Sequence, residues 1–166
     1  MDRLWAPWRI GYVANADKEE TCFLCDAARD PGHDHEHLVI RRGELAFAIL
    51  NRYPYNNGHA MVAPYAHKAD LPELGEAEQA ELFAMVLDVQ AALRARLSPH
   101  GFNIGINIGT AAGAGIPGHV HVHILPRWNG DTNFVTTCSD VKVISQSLED
   151  AYAELTAYFE ETADPP

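Results

Sequence analysis

Basic residues are scarce in this chain of 166 residues, which has 12 Lys and Arg against 23 Asp and Glu and a formal net charge of −11. Proteins that bind nucleic acids use clustered Lys and Arg to neutralise phosphates. We therefore expect no nucleic-acid partner. An anionic substrate would have to be attracted by the site itself, through backbone N–H groups, histidines or a bound metal.

Long hydrophobic runs are missing as well. No stretch of about eighteen apolar residues occurs, so the sequence predicts no membrane-spanning helix and no membrane partner. The N-terminal residues have neither a long apolar stretch nor a small-residue cleavage site, which predicts a cytoplasmic protein without a signal peptide. At this length, with 47% hydrophobic residues, we expect a single domain over residues 1–166.

Cysteine is rare, and its pattern argues against a disulfide framework. The chain has three cysteines, an odd number, and no predicted secretion signal. Cys22 and Cys25 form a Cys-x-x-Cys pair, which is a candidate for metal binding or redox chemistry. A thioredoxin-like role is disfavoured because no β-α-β pattern surrounds the pair. Cys138 stands alone and is expected to be a small buried hydrophobic residue.

The hydrophobic pattern predicts an α+β fold. Short apolar or alternating runs predict strands over residues 38–41, 45–50, 60–63, 101–108 and 119–125. Apolar residues at helical spacing predict one helix around residues 82–93 and another over residues 141–159, with Ser139 or Asp140 as the N-cap of the second. Residues 28–37 are polar, and Pro31-Gly32 predicts a turn within them. Short links favour antiparallel pairing, so we expect an antiparallel sheet with helices packed on it.

Two His-x-His-x-His runs differ in their spacers. In the first run, His33, His35 and His37 alternate with acidic residues. Nothing in that pattern would bury either face, so we expect a solvated polar segment, with adventitious metal binding as the alternative.

The second run, His119 to Leu125, has apolar spacers. On a strand, Val120, Val122 and Ile124 would face the core, and the three histidines would share the other face at intervals of about 6–7 Å. Histidine titrates near neutrality, can be a nucleophile and can bind metal. This row of imidazoles therefore indicates a reactive site.

A glycine-rich loop, residues 109–118, directly precedes the second histidine run. Small residues let backbone N–H groups approach an anion closely. The loop lacks the Gly-Lys-Ser/Thr of a Walker motif, and by itself it would fit a flexible hairpin equally well. Beside three histidines, it predicts a phosphate-binding loop.

These residues resemble the histidine triad (HIT) superfamily, whose signature His-φ-His-φ-His-φ-φ, with φ apolar, is matched by His119–Leu125 without departure. Residues 51–59 resemble the family's nucleoside-binding segment, and residues 101–107 resemble the strand before its phosphate loop. Residues 5–9 and 126–134 are similar to bacterial and mycobacterial diadenosine polyphosphate phosphorylases. The resemblance covers roughly residues 3–160.

The resemblance implies a fold and a chemistry. The fold is a five-stranded antiparallel sheet with two helices, paired into a homodimer with a continuous sheet. The middle histidine, His121, attacks the α-phosphate and forms a nucleotidyl-histidine, which water or orthophosphate then releases. A neutral imidazole suits this role because it attacks phosphorus readily and leaves readily again.

The resemblance also implies substrate contacts. His123 matches a phosphate-contacting histidine, Asn51 a ribose-binding position, and Asn107 a phosphate-contacting amide. Asn107 is a departure from the fragile histidine triad branch, which has Gln there. The loop N–H groups are candidate phosphate donors. The expected substrate-binding residues are Asn51, His59, Asn107, Gly113, Gly115, Ile116 and His123.

Several functions remain open. Residues 128–134 favour phosphorolysis of diadenosine tetraphosphate, and hydrolysis of dinucleoside polyphosphates or other nucleoside phosphates is the alternative. A non-catalytic nucleotide-binding module is a second alternative, although His121 is present. A metal-dependent hydrolase using His119, His121 and His123 is disfavoured because ligands at strand spacing all point one way and no carboxylate is adjacent.

A structural zinc site is expected at Cys22, Cys25, His67 and His119. The thiolate pair has metal-ligand spacing. The resemblance implies the other two ligands, because HIT relatives with this cysteine pair use a histidine after the nucleoside strand and the first triad histidine, which match His67 and His119. Galactose-1-phosphate uridylyltransferases have the same ligand pattern. His59 is a rival third ligand, and a metal-free cysteine pair is the alternative. Residues 1–40 would pack on the domain through this site. Mg²⁺ could arrive with the polyphosphate substrate.

Overall fold

Five antiparallel strands form one sheet in the computed structural model of the protein, which describes residues 22–131 and 144–163. The strands are β1 (Val39–Arg42), β2 (Ala46–Leu50), β3 (Ala60–Pro64), β4 (Gly101–Ile106) and β5 (Val122–Arg127). Their order across the sheet is β1-β2-β3-β5-β4. The antiparallel α+β fold expected from the short links is confirmed.

Two long helices pack on the sheet, and two short ones precede it. The helices are α1 (Phe23–Arg29), α2 (Asp34–His37), α3 (Glu76–Leu97) and α4 (Leu148–Thr162). The polar segment 28–37 is therefore largely helical: α1 extends to Arg29, a 3-10 turn lies at the predicted Pro31-Gly32 turn, and α2 follows. Leu24 and Ala27 are fully buried, and packing of these two residues supports a helix that is too short to form alone.

The predicted starts of the last strand and of the C-terminal helix are wrong. The last strand begins at Val122, so His119 and His121 lie before it, in a segment where Val120 N–H donates to the Lys68 carbonyl over 2.7 Å. The C-terminal helix begins at Leu148, later than the predicted residue 141.

Ser147 caps the C-terminal helix, because its hydroxyl accepts a hydrogen bond from the Asp150 N–H. Ile144 precedes the helix instead of lying in it. The predicted caps Ser139 and Asp140 lie outside the described residues, as do Cys138 and residues 5–9.

The core lies between the sheet and the two long helices. Helix α3 buries Leu82, Val89 and Leu93 in it, and α4 buries Leu155. The predicted inward face of the second histidine run is confirmed, since Val120, Val122 and Ile124 are 2%, 1% and 0% exposed. His123 alternates with them, so its side chain projects from the opposite face of the sheet.

Strand β4 forms one edge of the sheet. It pairs with β5 and, within the described residues, with no other strand. Of the apolar face predicted for this strand, Ile104 and the following Ile108 are 44% and 40% exposed. Within residues 22–131 and 144–163, no helix has the length and apolar character that crossing a bilayer requires.

Candidate active site

A cleft of about 250 Å³ brings together most of the residues predicted to bind substrate. Its walls include Asn51, Asn107, Gly113, Gly115, Ile116, His121 and His123. Asn107 follows β4 and the histidines lie at the start of its neighbour β5, so antiparallel pairing places them at one end of the sheet. Asn51 follows β2 and lies toward the other end, so the cleft extends across the sheet. His59 is absent from the cleft wall and lies behind His123.

His121 is held in one tautomer by its own main chain. Its ring is 4% exposed, and its Nδ1 lies 2.8 Å from the His119 carbonyl oxygen. A carbonyl can only accept, so Nδ1 carries the proton and Nε2 keeps its lone pair. Burial lowers the pKa of His121, and this outweighs the opposing effect of the His119 carbonyl. The ring therefore stays neutral, with an unprotonated nitrogen available for attack.

His59 sets the tautomer of His123. The Tyr55 N–H donates to His59 Nδ1 over 3.2 Å, so the proton of a neutral His59 is on Nε2. Burial, followed by the neighbouring His123 and His121, lowers the pKa of His59 to about 3. His59 Nε2–H therefore donates to His123 Nδ1 over 2.9 Å. The proton of a neutral His123 is then on Nε2.

These two tautomers give neighbouring rings opposite capacities. The centroids of His121 and His123 are 4.8 Å apart, and both rings line the cleft. The Nε2 of His121 keeps its lone pair, and the Nε2 of His123 carries a proton. Such a pair can attack an electrophile and donate a hydrogen bond to an oxygen attached to it.

The glycine-rich loop forms another wall of the cleft. Gly109 and Gly113 have φ of 78° and 82°, in the left-handed region that glycine adopts without strain. The Gly113 N–H donates to the Thr110 carbonyl over 3.0 Å and so is unavailable to a ligand. The N–H groups of Gly115 and Ile116 have no hydrogen bond within the described residues, and they remain candidate phosphate donors.

A second cluster contains all four predicted metal ligands. The ligand atoms of Cys22, Cys25, His67 and His119 lie within 4.8 Å of one another. His119 Nδ1 is 3.3 Å from Cys22 Sγ and 3.5 Å from Cys25 Sγ, and His67 Nδ1 is 3.1 Å from Cys25 Sγ. A tetrahedral Cys₂His₂ zinc site requires about 3.5 Å between sulfur and nitrogen ligands. This cluster could therefore bind a metal ion.

The protonation of His119 also fits metal binding. Its Nε2 lies 2.8 Å from the Pro64 carbonyl oxygen, so Nε2 carries the proton and Nδ1 presents its lone pair to the thiols. His59, the rival third ligand, lies against His123 instead of this cluster.

The three triad histidines do not share one direction, contrary to the sequence expectation. His119 faces the thiols, whereas His121 and His123 face the cleft. This geometry does not support a metal-dependent hydrolase that uses all three as ligands.

Further cleft residues were not predicted from the sequence. They include Phe23, Asp26, His37 and Met61, whereas Tyr53 and Tyr55 belong to the segment 51–59 that resembles a nucleoside-binding segment. Phe23 and Asp26 come from α1, where the neighbouring cysteines were the only signal.

The first histidine run is tied to carboxylates. His33 and His37 contact Asp30, and His35 contacts Glu149. The side chains of His33 and His35 are 56% and 62% exposed, as expected, but that of His37 is 28% exposed and lies in the cleft wall.

Comparison with known proteins agrees with this geometry. Residues 33–130 match the model of the HIT domain family. The chain is 42% identical over 156 residues to the AP-4-A phosphorylase of Mycobacterium tuberculosis, covering 90% of this chain and 80% of that relative. It is also 39% identical over 93 residues to the bis(5'-nucleosyl)-tetraphosphatase [asymmetrical] of Schizosaccharomyces pombe, covering 56% of this chain and 50% of that protein.

Solved structures share the fold. A Zn-bound histidine triad family protein from Mycobacterium smegmatis aligns with a TM-score of 0.67 and 26% identity, covering 85% of this chain and 94% of that one. A hypothetical histidine triad nucleotide-binding protein from Sulfolobus tokodaii gives a TM-score of 0.64 at 26% identity, covering 86% and 97%. The chain belongs to the HIT family.

Proposed function

We propose that this protein cleaves dinucleoside polyphosphates, in particular diadenosine tetraphosphate, by nucleotidyl transfer through His121. The observation that carries the proposal is the pair of tautomers in the cleft: a lone pair on His121 Nε2 beside the Nε2–H of His123. Support comes also from the similarity to an AP-4-A phosphorylase over 90% of the chain.

The first step is attack of His121 Nε2 on the α-phosphorus. The bond from that phosphorus to the bridging oxygen breaks, ATP leaves, and AMP remains attached to the histidine. In the second step, an orthophosphate oxygen attacks the same phosphorus, the P–N bond breaks, and ADP is released. Dividing one displacement into two replaces a poor nucleophile with a neutral imidazole.

Charge on the phosphoryl oxygens requires donors that are already in place. The N–H groups of Gly115 and Ile116 and the His123 Nε2–H are suited to this, and the Asn107 amide lies on the same wall. Asn51 would bind the ribose, and its orientation is fixed because its Oδ1 accepts from the Tyr53 N–H over 2.8 Å. Mg²⁺ would accompany the polyphosphate as part of the substrate.

Zinc is the metal that best suits the Cys₂His₂ cluster, because thiolate and imidazole ligands in tetrahedral arrangement are typical of structural zinc sites. Cys22, Cys25, His67 and His119 would occupy all four positions and leave none for a reactant. When bound, the ion would connect the N-terminal segment to the rest of the domain, and it would take no part in the reaction at the phosphate.

A homodimer forms part of the same proposal. The exposed Ile104 lies on the edge strand β4, and the exposed Ile108 lies two residues after its end. An unpaired edge with apolar side chains favours association with another strand. Pairing of β4 with its copy about a two-fold axis would continue the sheet through the dimer.

Product analysis of diadenosine tetraphosphate with and without orthophosphate tests the function. ATP and ADP that appear only with orthophosphate identify a phosphorylase, whereas ATP and AMP in its absence identify a hydrolase. Nucleotide binding without turnover would contradict the proposal and favour a binding module. His121→Ala serves as the control for contaminating activity.

A further inference from the structure

One short helix, α1, contributes to both the metal cluster and the cleft. Cys22, its N-cap, and Cys25 face the cluster, while Phe23 and Asp26 line the cleft. The two pairs are offset by one residue, or about 100° around the helix. Movement of the cysteines would therefore displace the cleft wall.

A second connection passes through the residues before β5. The ring of His119 belongs to the cluster, and its carbonyl oxygen accepts the hydrogen bond that sets the tautomer of His121. Gly118, at the end of the glycine-rich loop, packs so closely on the cluster that a Cβ there would lie 3.1 Å from His67 Nε2. The cluster thus contacts the phosphate end of the cleft as well as α1.

The two ends of α1 are anchored differently. Near its C-terminus, Arg42 Nη2 donates to the Ala27 carbonyl over 2.6 Å, and Ala27 itself is fully buried. At its N-terminus, the cap residue Cys22 makes no side-chain capping bond, and its thiol approaches His119. A helix of seven residues does not persist without tertiary support. The N-terminal turn, which carries Phe23, is therefore held by the buried side chain of Leu24 and by the two cysteines of the metal cluster.

We propose that metal binding at this cluster and nucleotide binding in the cleft are thermodynamically coupled. The bound ion holds Phe23 and Asp26 in the cleft wall and supports the His119 carbonyl beside His121. The metal-loaded protein binds AMP more tightly than the metal-free protein. Because coupling is reciprocal, AMP raises the affinity for the metal by the same factor. This inference rests on the proposed function in so far as the cleft binds a nucleotide.

Two binding measurements form a closed thermodynamic cycle. Calorimetry gives the Kd of AMP for zinc-loaded protein and for protein stripped with a chelator, and circular dichroism verifies that the stripped protein is folded. Competition with a chromophoric chelator gives zinc affinity with and without AMP. We expect AMP to bind at least about fivefold more weakly after stripping, with an equal gain in zinc affinity when AMP is present.

The direction of the change in zinc affinity distinguishes coupling from direct binding of zinc by free AMP. Free AMP binds zinc weakly and would lower the apparent affinity of the protein, so an increase can only come from coupling. Equal AMP affinity in loaded and stripped folded protein would overturn the inference while leaving the proposed function intact. Failure of loaded protein to bind AMP would instead contradict the proposed function.

If the protein unfolds when its metal is removed, the variant Phe23→Ala provides a second test of the coupling. This variant retains all four ligands, so its zinc affinity without AMP should match that of the wild type. The ratio of zinc affinity with AMP to zinc affinity without AMP should fall toward one, because the cleft residue that transmits the coupling has been removed. An undiminished gain would contradict the inference. Arg29→Ala, at the exposed end of the same helix, is the matched control and should keep the full gain.

Discussion

At the residue scale, main-chain groups determine which nitrogen of each imidazole carries a proton. The carbonyl oxygen of His119 accepts from the Nδ1–H of His121, the carbonyl oxygen of Pro64 accepts from the Nε2–H of His119, and the N–H of Tyr55 donates to the unprotonated Nδ1 of His59. Main-chain groups do not titrate and move little. The reactive arrangement is therefore present before substrate arrives, which is the condition for efficient electrostatic catalysis.

Replacing the proposed nucleophile tests this arrangement directly. His121→Asn removes the lone pair that is proposed to attack phosphorus while roughly keeping the side-chain shape. We expect turnover of diadenosine tetraphosphate to fall by about 10³-fold or more, with AMP affinity within a few-fold of wild type. Steady-state kinetics and calorimetry measure the two quantities. Retention of more than a few per cent of turnover would remove His121 from the role.

His59 is expected to act through His123 without touching substrate. In His59→Phe, Nδ1 of His123 loses its donor, so the proton is no longer confined to the nitrogen that faces the cleft. We expect kcat to fall by about tenfold to a hundredfold with a smaller change in KM. His59→Gln, which can still accept and donate, should restore part of the loss. Equal loss in both variants would indicate a packing role instead.

At the scale of elements, helix ends are defined by single side chains that compete with the hydrophobic pattern. Helix α4 starts at Leu148 although Ile144 continues the apolar spacing, because the hydroxyl of its N-cap, Ser147, accepts from the Asp150 N–H over 3.0 Å. Gly75 plays a comparable part at α3, where its own N–H donates to Glu78 over 2.7 Å.

The cap of α4 gives a quantitative stability test. Ser147→Ala removes the acceptor for one of the first N–H groups of the helix and should lower the free energy of unfolding by about 1 kcal/mol. Urea denaturation measures the change. Ser145→Ala, two residues earlier and exposed, is the matched control and should change stability by less than about 0.5 kcal/mol. Equal effects would show that the cap contributes nothing.

The edge strand β4 gives a test of association. Ile104 is 44% exposed in the single chain, so Ile104→Lys should leave the fold intact while placing a charge in the proposed strand pairing. We expect wild-type protein to have the mass of a dimer at micromolar concentration and the variant that of a monomer, by light scattering. A monomeric wild type would contradict the proposed dimer. Circular dichroism controls for folding.

At the scale of the whole molecule, buried neutral histidines make the fold sensitive to acid. The pKa of His59 is lowered to about 3 in the folded protein, from an ordinary value of 6.5. Burial also lowers the pKa of His121 and of His119. Between these folded and unfolded values, the unfolded chain binds protons that the folded chain does not, so stability falls as pH decreases from about 6.5.

Denaturation at several pH values measures this dependence. For His59 the loss should approach about 1.4 kcal/mol per pH unit below pH 6 and continue toward pH 3. His59→Gln lacks this group, so its stability should fall less steeply between pH 6.5 and 4.5, where most carboxylates remain ionised. The comparison also subtracts any effect of losing metal from the cluster. Parallel pH profiles would contradict the assignment of a buried neutral His59.

Much of the fold was predictable because alternation and spacing are local properties. The run from Val120 to Ile124 identifies a strand with one buried face, and the Cys22-x-x-Cys25 spacing identifies a pair of metal ligands. The start of β5 at Val122 was not predictable, since His119 and His121 have strand-like neighbours but pair with other groups. Helix α1 was missed because seven residues hold too few turns for a periodic signal.

The sequence alone determined the residue types and their order: a triad motif, a glycine-rich loop before it, and four candidate metal ligands. Tertiary structure decided where each side chain goes. His119 and His121 are two residues apart, yet the first faces Cys22 and the second faces the cleft. Pairing of β3 with β5, with Met61 opposite His123, brings His59 behind His123. Such contacts join residues far apart in the chain, and only the packed sheet and helices specify them.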